Sequence, residues 1–91
     1  MQKEGLNHCM LIFYTLKYIP QKEKVKVLRD LNGYKEKKHG KEYHHSGLVQ
    51  KAYAEKLGSN VILVPIGSFA DFQNFFSKNN IGIRIREVWT K

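Results

Sequence analysis

Lysine and arginine are the side chains of this chain with the clearest binding chemistry. The 91 residues contain 16 Lys+Arg against 8 Asp+Glu, a formal net charge of +8. Between positions 17 and 45 the chain has nine basic residues against four acidic ones, so more than half of the excess falls in this segment. A clustered cationic surface attracts phosphate backbones, because binding releases their condensed counterions. The charge pattern therefore predicts a polyanionic ligand.

The spacing of the cations predicts which of them act together. Lys22, Lys26 and Arg29 are four and three residues apart and therefore share one face of a helix. The residues that we predict to bind nucleic acid, DNA or RNA, are Lys22, Lys26, Arg29, Lys35, Lys37, Lys38, Lys41, Arg84 and Arg86. Such side chains contact mainly the phosphate backbone, and their composition carries no preference for a base sequence. The alternatives are a solvated surface that keeps the chain in solution and lysines that protect an exposed edge strand.

Tyrosines lie among these charges, and their rings are candidates for stacking on bases. The three candidate stacking residues are Tyr18, Tyr34 and Tyr43. Stacking on an aromatic ring contributes about 1–3 kcal/mol per base in proteins that bind single strands. The alternative is packing of these rings at the ends of strands. The apolar run at 61–66 has no aromatic residue, which argues against the aromatic sheet of an RNA-recognition motif.

Histidines are the only candidates for catalysis. His39, His44 and His45 could supply a general acid and base to a metal-free ribonuclease. No motif supports this chemistry. On a strand the adjacent His44 and His45 would point to opposite faces, so they would not easily ligate one metal. Carboxylates are scattered and no second cysteine accompanies Cys9, so neither a two-metal centre nor a zinc site is indicated. We expect no catalytic residue, metal or cofactor, and a ribonuclease is the third hypothesis.

Length and apolar content predict one small domain over residues 1–91, with a loose N-terminus at 1–8. The lone Cys9 cannot form an internal disulfide, which fits a reducing compartment. The apolar run from Cys9 to Leu16 is far shorter than the ~20 residues needed to span a bilayer. We therefore expect a cytoplasmic protein with no membrane partner.

The first half of the chain predicts a strand, a helix and a second extended segment. Residues 9–19 are rich in aromatic and β-branched side chains and predict a long central strand, buried on both faces. Residues 20–32 predict a helix that starts at a proline and ends at Gly33, with an apolar stripe of Val25, Val27, Leu28 and Leu31. Residues 34–45 predict an edge strand, or a hairpin that turns at His39-Gly40.

The second half predicts two more helices and two more strands. Residues 48–57 predict a helix capped by Ser46, and residues 61–66 a buried strand. Residues 68–78 predict a helix that begins with Ser68 and Asp71 in the manner of a capping box. Residues 81–89 alternate between isoleucines and Gly82, Arg84 and Arg86, which is typical of a half-buried strand.

This order of elements predicts an α+β fold, a ferredoxin-like sandwich of βαβ, an extra helix and βαβ, with a four-stranded, mainly antiparallel sheet. Its helices would cover one face of the sheet and leave Arg84 and Arg86 on the other. The first strand would present to that open face either Phe13, Thr15 and Lys17, or Tyr14, Leu16 and Tyr18. An apolar strip there needs a cover, and we expect a homodimer or stacked bases. A homodimeric assembly protein that binds no nucleic acid is therefore the alternative function.

In outline the chain resembles the small ferredoxin-like nucleases associated with CRISPR systems. The likeness consists of the strand MLIFYTL, a basic helix and a later strand VILVP. That family carries an aspartate at the end of its first strand, where this chain has Thr15-Leu16-Lys17-Tyr18. No residue role is carried over from this resemblance, and it implies no metal-dependent cleavage here.

Overall fold

Six strands and three helices make up the part of the chain that the computed structural model describes, residues 5–90. In chain order the elements are β1 (Asn7–Tyr14), α1 (Gln21–Asn32), β2 (Tyr34–Lys38), β3 (Lys41–His45), α2 (Leu48–Lys51), β4 (Glu55–Gly58), β5 (Val61–Pro65), a 3₁₀ turn (Ile66–Ser68), α3 (Phe69–Lys78) and β6 (Ile83–Thr90). Of the N-terminus predicted to be loose, positions 1–4 lie outside the described residues. Asn7 and His8 belong to β1, so the prediction is wrong for them.

Four of the strands form an antiparallel sheet in the order β4-β5-β1-β6. Because β4 and β1 are both antiparallel to β5, they run in the same direction with β5 between them. For the same reason β5 and β6 run in the same direction with β1 between them. The predicted α+β class, the four-stranded antiparallel sheet and the central position of the first strand are confirmed.

The first strand is shorter than predicted, because β1 ends at Tyr14 and not at residue 19. The next residues turn towards α1, and the Ile19 amide donates a hydrogen bond of 3.1 Å to the Leu16 carbonyl. Leu16 and Ile19 still pack against the core from this turn. Their apolar character was the reason for extending the strand, but a connection that covers the core needs the same character.

The core lies between one face of the sheet and the helices. The sheet contributes four fully or almost fully buried residues, Ile12, Tyr14, Ile62 and Val64, and the helices contribute Val27, Leu31, Phe72 and Phe76. Since neighbours on a strand point to opposite faces, Phe13 faces away from the helices and is 39 % exposed. Of the two orientations left open by the sequence, the structure has the one with Phe13 outward.

Tyr14 carries the one polar side chain of this core. Its hydroxyl donates a hydrogen bond of 3.2 Å to the Ser59 carbonyl, in the loop between β4 and β5. Burial raises the pKa of the Tyr14 phenol above its ordinary value of 10.0, because it disfavours the phenolate. The hydrogen bond lets the ring fill the core while its oxygen keeps a partner.

The first helix has the predicted ends. Pro20 precedes it, and Gly33 follows it at a φ of 79°, with its amide donating to the Arg29 carbonyl. The predicted apolar stripe is only half correct, because Val27 and Leu31 are buried whereas Val25 and Leu28 are exposed. The helix therefore buries only the narrow face that carries Val27 and Leu31 in the core.

Residues 34–45 form a hairpin, which was the second of the two structures predicted for this segment. His39 and Gly40 have φ angles of 51° and 77°, the left-handed pair that closes a two-residue hairpin with the right twist. The predicted place at the edge of the main sheet is wrong, because β2 and β3 pair only with each other. Every residue of β3 is exposed, so the hairpin has no apolar face to bury against the sheet.

The predicted helix at 48–57 is wrong beyond its first turn. α2 ends at Lys51, Tyr53 takes a left-handed φ of 56°, and Glu55–Gly58 forms the edge strand β4. Gly47 rather than Ser46 precedes the helical turn, and its amide donates to Gln50 Oε1 at 2.8 Å. The free edge of β5 gives this segment backbone partners from outside itself, so tertiary pairing overrides the local apolar spacing.

The last helix and strand occupy nearly the predicted positions. α3 ends at Lys78, before Asn79, and Asn80 has a left-handed φ of 57°. The predicted cap is wrong, because the Ser68 hydroxyl donates to the Ala52 carbonyl at 3.2 Å and not to the start of α3. β6 begins at Ile83, with Arg84 and Arg86 exposed on the face without helices.

Two glycines bring the chain into close contact where the hairpin leaves the body. A Cβ on Gly47 would collide with the Gly33 amide and with the Leu31 carbonyl group. A Cβ on Gly33 would lie 2.9 Å from the Gly47 nitrogen and would also collide with the His45 carbonyl. These atoms belong to the backbone and cannot rotate away. The contact therefore holds the two ends of the hairpin together.

Replacing Gly47 by alanine should lower the free energy of unfolding by about 2 kcal/mol or more, since the new methyl group must displace backbone. Urea unfolding followed by circular dichroism measures the loss. Gly67→Ala is the matched control, because a Cβ there meets no atom within 4 Å, and it should change the value by less than about 0.5 kcal/mol. Equal effects of both changes would contradict the role given to the glycine contact.

Candidate nucleic-acid interface

A polar groove runs between α1 and α3 on the outer surface of the helix layer. Its volume is about 470 Å³, and its wall at one end includes Tyr34 of the hairpin. The floor is apolar and includes Leu48 and Phe75, whereas the rims carry charged and amide side chains. The groove is the place where the body of the protein and the hairpin meet.

Four cations from three helices line this groove. Lys26 and Arg29 come from α1, Lys51 is the last residue of α2, and Lys78 is the last residue of α3. All four are exposed, and within residues 5–90 none of them forms an ion pair with a carboxylate. Their charge is therefore available to an anion.

Two carboxylates, Asp30 and Asp71, also line the groove and reduce its charge without cancelling it. Ser46 and Asn74 add neutral hydrogen-bond donors on the rims. Asn79 is already used, since its Nδ2 donates to the Phe75 carbonyl at 2.8 Å and closes the end of α3. The lining thus combines an excess of cations with polar groups, which is the composition that phosphate contacts need.

A stack of three side chains joins the groove to the hairpin. The guanidinium carbon of Arg29 lies 4.9 Å from the centre of the Tyr34 ring, and the His45 ring stacks on Tyr34 at 4.3 Å. A cation over a tyrosine face and a stacked ring pair are each worth about 1 kcal/mol. Arg29 and Tyr34, both predicted as binding residues, therefore also fix the hairpin against α1.

The hairpin divides its predicted lysines between two faces. By strand register, Lys38 and Lys41 lie opposite each other on the face that also carries Tyr34 and Tyr43, which we call the tyrosine face. Lys35 and Lys37 point to the other face. The four hairpin lysines therefore do not form one continuous surface with the groove, and only the pair on the tyrosine face continues from it.

Glutamates neutralise part of the hairpin charge. Lys38 Nζ lies 3.2 Å from a Glu36 oxygen, and Lys35 Nζ lies 3.9 Å from a Glu42 oxygen. The lysines and Glu42 are exposed and Glu36 is only half-buried, so each pair contributes at most about 1 kcal/mol. Within the described part of the chain, Lys37 and Lys41 form no ion pair.

The three hairpin histidines are not brought together. His39 lies in the turn, His44 contacts Glu42 at 3.2 Å, and His45 contacts Glu36 at 3.5 Å, each on its own face of β3. The remaining histidine, His8, lies on β1, where its Nε2 contacts Glu87 at 2.8 Å and its ring stacks on Trp89. The adjacent His44 and His45 thus lie on opposite faces of the hairpin.

The remaining predicted residues lie in three other places. Lys22 is exposed one turn before Lys26 on α1, outside the lining of the groove. Tyr18 is 82 % exposed and borders an apolar pocket of about 460 Å³ at the end of the sheet. Arg84 and Arg86 lie on the opposite face of the sheet from the helices. The structure therefore separates this arginine pair from the lysines of the first half.

Sequence reasoning missed Lys51 and Lys78 as members of the site. Each is an isolated lysine in the less basic half of the chain, so no run of charge marks it. The one available signal is that both close a helix, where cations are favoured by the helix dipole. Their approach to Lys26 follows from helix packing and cannot be read from spacing.

Metal-binding and membrane-spanning features are both missing from the described residues. Among positions 5–90 there is no group of three or more His, Cys, Asp or Glu side chains that could hold a metal ion. Within the same range no helix is long and apolar enough to cross a membrane. Comparison of the chain with protein-family models, with curated proteins and with solved structures found no match.

Truncating Tyr34 to alanine should release the hairpin while leaving the body folded, because it removes both the Arg29 and the His45 ring contacts. Amide hydrogen exchange measured by mass spectrometry should be about tenfold faster in β2 and β3 and unchanged in β1. Tyr18→Ala is the control, since it removes an exposed tyrosine elsewhere. Unchanged exchange in the hairpin of Tyr34→Ala would refute the docking role of this stack.

Proposed function

We propose that this chain is a small, basic nucleic-acid-binding protein that contacts mainly the phosphate backbone through the groove between α1 and α3. The observation that carries the proposal is the convergence of Lys26, Arg29, Lys51 and Lys78 from three helices without a carboxylate partner. Solvated cations that only aid solubility have no reason to gather around one groove. A polyanion has such a reason, because each released counterion adds to its affinity.

The tyrosine face of the hairpin extends this contact. Lys38 and Lys41 add positive charge at the far end of this face from Tyr34. Tyr43 lies between Tyr34 and the two lysines, is 46 % exposed and can stack on a base. Each of these lysines can reach a further phosphate, since duplex DNA carries one charge per about 1.7 Å of its axis. Lys22 lies on the same face of α1 as Lys26, one turn nearer the start of the helix. It adds to the positive electrostatic potential at the end of the groove away from the hairpin.

We also propose the ferredoxin-like fold for this chain. Counting only the strands of the main sheet, the spatial order is second-third-first-fourth. Two parallel strand pairs, each split by an antiparallel strand, support the double βαβ plan of that fold. The hairpin and α2 are then an insertion in the first crossover, between α1 and β4. This fold hosts many functions, so the binding proposal rests on the groove and not on the fold.

The proposal predicts a steep dependence of affinity on salt. If four phosphates are contacted, the affinity should fall about a hundredfold between about 50 mM and about 200 mM monovalent salt. Polarisation titrations with labelled single-stranded and duplex DNA and RNA measure this fall and reveal which of the four is preferred. A flat salt response, or no binding to any of them at low salt, would overturn the proposal.

Reversing the charge of the groove should weaken binding for every nucleic-acid sequence alike. In the double variant Lys26→Glu/Arg29→Glu, the slope of log affinity against log salt should become shallower by about two, one for each lost phosphate contact. Lys17→Glu/Lys56→Glu is the matched control, because it makes the same change of net charge outside the groove and the hairpin. Equal loss in both variants would mean that only net charge matters and that the groove is not the site.

Neutralising Glu36 should strengthen binding, because Lys38 would lose the carboxylate that competes with phosphate for it. We expect about a threefold higher affinity for Glu36→Gln, the size of one exposed ion pair. Glu87→Gln makes the same charge change on β6, outside the groove and the hairpin, and should have a smaller effect. A larger gain from Glu87→Gln would contradict the extension of the site along the tyrosine face.

A further inference from the structure

The sheet face that the helices leave uncovered has an ordered pattern of side chains. In β1 it presents Leu11 and Phe13, in β5 it presents Val61 and Leu63, and in β6 it presents Arg84 and Arg86. The aliphatic residues here are half-buried and Phe13 is 39 % exposed, yet no element of residues 5–90 packs on them. An apolar strip of this kind at the centre of a sheet needs a cover.

The strand register arranges this face in rows that cross the sheet. One row contains Glu55 of β4, Leu63 of β5, Leu11 of β1 and Arg86 of β6, each opposite the next. Its two ends carry opposite charges, and its two middle positions are both leucine. The neighbouring row contains Gly58, Val61, Phe13 and Arg84 in the same strand order.

A row of this kind is complementary to itself. We propose that the open sheet face is the interface of a homodimer, in which a two-fold axis parallel to the strands places Arg86 over Glu55 of a second copy. The same rotation puts Leu11 over Leu63 and Phe13 over Val61 of the other copy. Arg84 then lies over Gly58, where no side chain competes for space. Each contact occurs twice, because such an interface uses the same patch on both subunits.

Charge selects this arrangement over the other face-to-face dimer. A two-fold axis perpendicular to the strands would put β6 over β6, so that Arg84 and Arg86 would face the same arginines of the second copy. Juxtaposed like charges of this kind are strongly unfavourable at an interface. Within residues 5–90 neither Glu55 nor Arg86 forms an ion pair in the single chain. Both are therefore available to a second copy.

The dimer would leave the groove free, since the groove and the open face lie on opposite sides of the sheet. The inference is independent of nucleic-acid binding, because it depends on different residues. Each dimer would carry two grooves that face away from each other. Association of the two copies is measured in the absence of nucleic acid. A failure of the dimer proposal can therefore be distinguished from a failure of the nucleic-acid proposal.

Sedimentation equilibrium of the wild-type chain should show a monomer–dimer equilibrium. Arg86→Glu and Glu55→Arg should each raise the dissociation constant of the dimer by about tenfold or more, because each places like charges together twice. The double variant Arg86→Glu/Glu55→Arg should restore it to within about threefold of wild type, since the pair is regenerated with reversed sign.

Lys56→Glu is the control, because Lys56 is the neighbour of Glu55 on β4 but points to the other face of the sheet. It should leave the dissociation constant unchanged, and circular dichroism should show that all variants are folded. A wild-type chain that stays monomeric at every concentration would overturn the inference and assign the open face to another occupant. A dimer that ignores both single changes, or that the double variant fails to restore, would overturn it as well.

Discussion

The packing of one sheet face against α1 and α3 is the contact on which the other features of this structure depend. Ile12 and Ile62 from the central strands meet Phe72 and Phe76 of α3, and none of the four is more than 1 % exposed. Within residues 5–90 the helices pack against one face of the four-stranded sheet and leave the other face uncovered. One face of the sheet is therefore buried against the helices and forms the core. Two surfaces stay free, namely the outer surface of the helices, which carries the groove cations, and the open face of the sheet.

These two free surfaces differ in the arrangement of their charge, and the difference separates their proposed roles. The groove on the helix side has four cations against Asp30 and Asp71, so it retains the excess that a polyanion needs. On the open face, one row across the sheet has an acidic end at Glu55 and a basic end at Arg86, with two leucines between them. A surface with an excess of positive charge attracts phosphate. A row with opposite charges at its two ends is instead complementary to the same row of a second copy turned end over end.

The hairpin forms a two-stranded sheet apart from the main one, and it carries four of the predicted binding lysines. It contributes no residue to the core; the Gly33–Gly47 contact and the contact of Arg29 with Tyr34 join it to the body, and His45 of the same hairpin stacks on Tyr34. Both ties lie at its base, so the position of Lys38 and Lys41 relative to the groove depends on them. Binding and local stability are therefore coupled at this point, because Arg29 serves both.

Much of the fold and part of the site could be predicted from local patterns. The bounds of α1 follow from Pro20 and Gly33, and the hairpin turn follows from His39-Gly40, because these residues restrict backbone angles by themselves. The apolar run of β5 and the alternation of β6 likewise depend only on neighbouring residues. The α1 stripe of Lys22, Lys26 and Arg29 was visible for the same reason.

Only the tertiary structure decided the rest. Glu55–Gly58 became a strand and not a helix, because the free edge of β5 offered hydrogen bonds that lie outside the segment itself. Lys51 and Lys78 joined the groove through the packing of distant helices, and Arg84 and Arg86 were separated from the lysines by the thickness of the sheet. The backbone conformation of a turn or a helix end depends on the steric preferences of adjacent residues. The pairing of strand edges and the choice of the buried face depend instead on contacts between positions far apart in the chain.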